Sequence, residues 1–292
     1  MAQRSLLIVN RGARSGDADL RPALDILRRD GPVEMRAVDG TGDVAAQIDA
    51  ACTPDVDRLV VAGGDGTVNA AVRAAMRTRA PLGILPIGTA NDLARTLQVP
   101  AAIEEAAAVI AAGRTRPIDV GRVNGVFFLN AAGLGFSTAL KAELSPALKR
   151  WWGPLAYPIG VLSRWHRHRP FTVRIEGDTT RRARAMQVTI ANGRYYGGGM
   201  AAHEEARIDD GLLDVVILRP RPLWRYALSA ASIRRGTYEQ APVITLRTHA
   251  LRLSTKRPRP VATDGEITTT TPAVFEVLQG AIRVFVPVES EP

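Results

Sequence analysis

The chain changes texture near residue 125, and no single layer architecture accommodates both sides of that change. Over the first 120 residues, short apolar runs at 5–9, 33–38, 58–62 and 82–85 alternate with helix-period patterns at 22–29, 43–52, 67–76, 89–97 and 103–112. Strands alternating with helices predict a parallel sheet covered on both faces. Beyond residue 125, the runs at 171–176, 185–191, 213–218, 242–247, 250–253, 274–278 and 282–286 are short and rich in β-branched residues, with turn residues between them. That half predicts an antiparallel sandwich or barrel, interrupted by one helix at 222–235. The threonine run 268–271 reads as a loop or an edge strand. The expected fold is therefore α/β + β. A Rossmann-like parallel-sheet domain spans 1–122, and a β-rich domain, sandwich or barrel, spans 123–292.

Length agrees with two domains, since 292 residues is about twice an ordinary domain. The net charge of +9 rests almost wholly on arginine, because the only lysines are Lys141, Lys149 and Lys256. A basic surface favours anionic membranes, nucleic acid or phosphorylated substrates. No dense basic tail and no RNA-binding aromatic signature occurs, so no nucleic-acid partner is expected. The lone cysteine, Cys52, cannot form an internal disulfide, which fits a reducing compartment. No apolar run approaches the roughly 18 residues that span a bilayer, and the run from Leu6 to Val9 is too short for a signal peptide core. A cytoplasmic protein is expected.

The strongest local signal is Gly63-Gly64-Asp65-Gly66-Thr67-Val68-Asn69, between an expected strand and an expected helix. Glycines let the backbone approach an anion closely, and backbone N–H groups where a helix begins can hold phosphate. Asp65 would repel that phosphate unless a cation intervened. Mg²⁺ is the natural mediator, because it takes carboxylate, water and phosphate oxygens together. The segment from Leu85 to Arg95 repeats the logic, with Gly88-Thr89 at the turn and Asn91-Asp92 at the helix start. Asp92 supplies a second carboxylate, and Arg95 shares its helix face and could bind phosphate or a headgroup. By itself, Asp92 would equally serve as a first-turn charge on a helix.

Two later signals are weaker. Thr263-Asp264-Gly265-Glu266 could present a carboxylate to an attacking hydroxyl, though Asp-Gly is also an ordinary hairpin turn. The segment 192–199 ends in Gly197-Gly198-Gly199, implying tight backbone packing or a mobile loop. Asp210, in the segment 208–214, could hold a hard cation with backbone carbonyls or simply mark a turn. Other chemistries are missing their signatures: there is no P-loop, no complete dinucleotide fingerprint, no H-E-x-x-H zinc motif and no G-x-S-x-G elbow. The segment 144–169 holds three of the four tryptophans among arginines. It reads either as a helix between domains or as an element meeting anionic headgroups.

In their order and spacing, the segments 63–69, 83–95, 128–136, 191–199, 208–218 and 264–266 resemble the bacterial diacylglycerol kinase/lipid kinase family, relatives of sphingosine and ceramide kinases. The resemblance covers nearly the whole chain. It implies ATP and Mg²⁺ as cofactors and a lipid alcohol as acceptor, with transient contact to an anionic membrane from the cytoplasmic side. A homodimer is compatible with it. It implies that Asn10, Gly63, Gly64, Asp65, Gly66, Thr67, Val68, Asn69, Gly88, Thr89, Asn91 and Arg95 bind nucleotide. It implies that Asp65 and Asp92 organise catalytic Mg²⁺, and that Glu266 is the general base. Asp210 with the carbonyls of Leu213 and Val215 would match a structural Mg²⁺ site. The chain departs from the family pattern at Asn10-Arg11-Gly12, where Asn-Pro is usual. It departs again at Val38, where a threonine is common, and at Ile267, where proline often follows the base. An enzyme resembling NAD kinase or phosphofructokinase, and a non-catalytic lipid-binding regulator, remain the alternatives.

Overall fold

The computed structural model describes residues 3–10, 12, 19–38, 42–143, 165 and 168–288. In the first half the order is β1 (Ser5–Asn10), α1 (Arg21–Leu27), β2 (Val33–Val38), α2 (Val44–Ala51), β3 (Arg58–Gly63), α3 (Asp65–Ala70), α4 (Val72–Thr78), β4 (Leu82–Pro86), α5 (Asp92–Thr96) and α6 (Ile103–Ala111). Strands β2, β1, β3 and β4 lie side by side and parallel. Leu6, Leu7, Ile8, Leu59, Val60, Val61, Leu82 and Leu85 are buried, as strands covered on both faces require. The pattern at 67–76 becomes two helices meeting at Ala71, and the helix expected from residue 89 starts at Asp92, with Asn91 in the left-handed region ahead of it.

The second half comprises β5 (Thr115–Val123), β6 (Val126–Phe128), β7 (Ala131–Gly135), α7 (Phe136–Glu143), β8 (Phe171–Glu176), β9 (Thr180–Ala185), β10 (Gln187–Ala191), β11 (Tyr195–Tyr196), β12 (Met200–Ala201) and β13 (Leu213–Leu218). It continues with α8 (Leu223–Leu228), α9 (Ala230–Arg235), β14 (Val243–Thr248), β15 (Ala250–Thr255), β16 (Pro260–Thr263), β17 (Glu266–Thr270) and β18 (Ala273–Phe285). One layer is an antiparallel sheet in the order β14-β13-β10-β7-β16-β17. The threonine run falls in β17, at its edge. The helix expected at 222–235 is broken at Ser229 into α8 and α9.

The opposing layer is continuous with the parallel sheet. Strand β18 pairs antiparallel with β15 and β5, and reaches β4 in parallel at Val284↔Leu82. Phe128, Leu134, Val173, Ile175, Val188, Ile190, Val215, Leu253 and Phe275 fill the space between the sandwich layers as one buried cluster. The fold is an α/β domain followed by an antiparallel sandwich, joined through a shared sheet.

Candidate active site

The turn after β3 carries Gly64 to Asn69 to the edge of a cavity of about 580 Å³. Gly64, Gly66, Thr67 and Asn69 line it, together with Asn10, Gly88, Asp43 and, from the sandwich, Thr263, Asp264, Glu266 and Thr268. The two glycine turns touch: a Cβ on Gly88 would stand 2.4 Å from the Gly64 Cα, so only glycine permits this approach. Asn10 Nδ2 donates to Thr67 Oγ1 at 2.8 Å, tying the end of β1 to the turn. Asn91 holds the second turn, its Oδ1 accepting from Gly88 N at 3.0 Å and its Nδ2 donating to Gly88 O at 3.1 Å.

Asp65 points the other way, into a second cavity of about 440 Å³ that is mostly apolar. Ala131, Ala132, Gly133, Met200 and Ala262 supply apolar wall, with Ser137, Thr138, Gln187 and Thr189 as polar points. Asp65 Oδ1 accepts from Leu93 N at 3.1 Å and from Asn130 Nδ2 at 3.2 Å. Asp92, 4% exposed, accepts from Gly198 N at 2.9 Å. Gly197, Gly198 and Gly199 all have positive φ, which lets the backbone turn that N–H toward the carboxylate and explains the triple glycine. Burial, reinforced by Asp65 nearby, pushes the Asp92 carboxyl above its ordinary pKa.

Asp264 lines both cavities. It and Gly265 form the two-residue turn between β16 and β17, both at positive φ as a tight hairpin demands. The plain and the functional readings of Asp-Gly-Glu therefore coincide here. The Asp264 carboxylate accepts N–H bonds from Leu129, Asn130 and Ala131 at 2.8, 3.0 and 3.0 Å. Burial pushes its pKa up to about 6 against the pull of those donors. Glu266 stands exposed at the cavity beside the first glycine turn.

Other expected residues sit differently. Val68 and Gly63 are buried, and a Cβ on Gly63 would strike Thr67 at 2.7 Å, so neither presents a side chain to a ligand. Thr89 is exposed beyond the turn, and Arg95 stacks near the Tyr195 ring at 5.9 Å. Arg11 lies outside the described residues, as does most of the tryptophan-rich segment. Of that segment Trp165 is buried, edge-on to Phe136 and Tyr226 at 5.1 Å each. The sequence covers Asn130 only within the segment 128–136 and Asp264 only within the Asp-Gly-Glu turn, with no separate role for either. An amide between two apolar runs is the signal for the first.

The donors around Asp65 and Asp92 suit a hard cation. Asp92 Oδ1 and Asn130 Oδ1 are buried with no hydrogen-bond partner, and both residues line the same cavity as Asp65. Among the described residues no three His, Cys, Asp or Glu side chains cluster as metal ligands. A bound ion would thus complete its shell with water and substrate oxygens, as Mg²⁺ ordinarily does. The set of Asp210, Leu213 and Val215 is different. Asp210 Oδ1 accepts from Leu212 N at 3.0 Å, and Oδ2 is engaged by the Arg247 guanidinium. Val215 sits in the ladder between Ile190 and Leu246. As arranged, these residues hold an arginine where a metal would sit and do not fit one without displacing it.

Comparison with known proteins bears on this arrangement. Residues 4–123 match the diacylglycerol kinase catalytic domain, and residues 133–286 match the YegS C-terminal NAD kinase beta sandwich-like domain. A probable lipid kinase YegS-like protein of Pseudomonas aeruginosa is 34% identical, covering 99% of this chain and 97% of its own. Another from Pectobacterium atrosepticum is 33% identical over 97% of this chain and 96% of its own. A solved structure of a candidate diacylglycerol kinase from Bacillus anthracis superposes with a TM-score of 0.84 at 28% identity, covering 98% of this chain and 96% of its own.

Proposed function

The chain belongs to the lipid kinase family that joins a diacylglycerol kinase catalytic domain to a YegS C-terminal domain, and from that premise we propose that it transfers the γ-phosphate of ATP to the hydroxyl of a diacylglycerol-like lipid alcohol in a Mg²⁺-dependent reaction. The observation that carries this reading is the meeting of two cavities at Asp264: one edged by the glycine turns, the other apolar. A triphosphate along Gly64 to Thr67 would bring its terminal phosphate to the junction, and an acceptor tail would lie against Ala131 to Gly133 and Met200. Positioning of this kind supplies much of the rate in phosphoryl transfer.

Asp65 and Asp92 would hold Mg²⁺, which when bound draws off charge developing on the phosphate oxygens. Glu266 would accept the hydroxyl proton of the acceptor. Asp264 and Asn130 position these groups: Asp264 fixes the backbone of 129–131, and the Asn130 amide in turn holds Asp65. A soluble acceptor, as in NAD kinase-like enzymes, finds less support, because the second cavity is walled mainly by apolar atoms. The working site of such an enzyme is the inner face of the membrane, reached as a peripheral protein. No helix among the described residues is long and apolar enough to cross a bilayer.

The test is transfer from γ-labelled ATP to a panel of diacylglycerol, sphingoid base, NAD and fructose 6-phosphate in mixed micelles, with and without Mg²⁺. Label should enter the lipid alcohols only with Mg²⁺, and Glu266→Gln should slow it by roughly 10²–10⁴-fold. Label in NAD or the sugar phosphate instead would overturn the lipid assignment.

A further inference from the structure

Helices α8 and α9 carry an apolar face turned to solvent. Trp224, Ala227 and Leu228 of α8 are exposed and stand at i, i+3 and i+4, the spacing that places residues on one side of a helix, and Ala231 of α9 is exposed beyond the break at Ser229. Trp224 is 57% exposed and Leu228 80%. The opposite side, through Leu223, Tyr226 and Ile233, packs on Phe136, Trp165 and Met186. That packing is fixed further by Trp165 Nε1 donating to Arg221 O at 3.2 Å. The inner face is thus already satisfied, and the outer one is a second apolar stripe with no core beneath it.

Charge identifies its partner. From Arg219 to Tyr238 the chain has Arg219, Arg221, Arg225, Arg234 and Arg235 and no acidic residue. All five arginines are exposed, and none forms an ion pair among the described residues. Arg225 lies over the Trp224 ring at 5.3 Å. Glu204 and Glu239 sit beyond the far end of α9, where Glu204 N donates to Gly236 O at 3.2 Å. An aromatic and a leucine rimmed by unpaired guanidinium groups form the pattern of an interfacial helix on an anionic bilayer. A protein groove would more often present acids or backbone partners to such arginines.

The location fits the use. Ser137 and Thr138, at the start of α7, line the apolar cavity, and the neighbouring Phe136 stacks through Trp165 onto Tyr226 of α8. We propose that the exposed face of α8 and α9, through Trp224 and Leu228 with Arg219, Arg221 and Arg225, docks the protein on anionic phospholipid bilayers. This rests on the lipid-acceptor reading only for its purpose, since binding to vesicles needs no turnover.

The experiment is flotation with phosphatidylcholine vesicles containing about 30 mol% phosphatidylglycerol, against pure phosphatidylcholine. The intact protein should float with the anionic vesicles and be released by roughly 0.5 M salt. Trp224→Ala/Leu228→Ala should weaken binding at least about tenfold, and Arg221→Gln and Arg225→Gln about fivefold each. All three variants should keep wild-type circular dichroism and wild-type turnover on a water-soluble short-chain acceptor, while turnover on vesicle-embedded acceptor falls. A folded double variant that floats like wild type would overturn the proposal, as would a wild type that ignores anionic vesicles. Loss of a concentration-dependent dimer in sedimentation velocity, with flotation unchanged, would assign the face to a second copy of the chain. Vesicle binding without transfer to any lipid alcohol, short-chain or vesicle-embedded, would leave docking intact and sink the kinase assignment instead.

Discussion

The protein gathers acids in two places and treats them in opposite ways. At the junction of the two cavities, Asp65, Asp92 and Asp264 face open space, and their partners are neutral N–H groups. Toward the opposite edge of the sheet that carries β16 and β17, Asp210 and Asp214 close on one guanidinium: Arg247 engages Asp210 and brings Nε within 3.0 Å of Asp214 Oδ1. Neutral donors orient a carboxylate and leave its charge available to an incoming cation. An arginine cancels the charge on the spot. The first cluster is incomplete by design of its contacts, and the second carries its counter-ion in the chain.

The largest test of that contrast is Asp92→Asn. Removing the carboxylate proposed to hold the cation should cost about 10²-fold in turnover at fixed Mg²⁺. The thermal midpoint should hold or rise, because a buried, strained charge is gone. Equal losses of turnover and stability would make Asp92 a structural residue like Asp214. The next test is Arg247→Met, which leaves Asp210 and Asp214 without their cation and should destabilise folding by about 3 kcal/mol. Nucleotide affinity, read by equilibrium binding, should not move. If Mg²⁺ restored the lost stability, the Asp210 region would be a latent metal site after all.

The smallest effect is on pH dependence. Burial pushes the Asp214 carboxyl up to about 6, against the attraction of Arg247. A carboxyl whose folded pKa is raised contributes stability fully below the unfolded value and loses it as pH rises through the folded one. This group should therefore make the protein less stable between about pH 4 and pH 6 as pH increases. Asp214→Asn should flatten that slope in urea titrations, and an unchanged slope would show that Arg247 keeps Asp214 ionised throughout.

These clusters were unequally legible in the sequence. Strands β1, β3 and β4 declared themselves through continuous apolar runs, because a strand buried on both faces needs nothing else, whereas β2 at the sheet edge carries Glu34 and Arg36 among its apolar residues. The first glycine turn was equally plain, since its chemistry lies within seven consecutive residues. Strand β5 was not, because Asp119 and Gly121 interrupt its apolar pattern. Asp119 is buried there only because Gly211 N and Gly280 N, far along the chain, donate to it at 2.7 and 2.8 Å. The Arg247 clasp depends on the register that sets Asp214 opposite Arg247, which no local pattern encodes. Likewise Glu266 was legible as a motif, whereas Asp264 acquires its role from three N–H groups more than a hundred residues away. Local chemistry was readable; chemistry assembled across the fold was not.

Strand β18 has a consequence for how the molecule is made. It emerges from the ribosome after β4, β5 and β15, all of which it pairs with. Until it arrives, β4 presents a bare edge of unpaired peptide groups, the kind of template on which nascent chains stick to one another. The α/β half, though first to be synthesised, must wait for the last strand of its partner before its sheet is sealed.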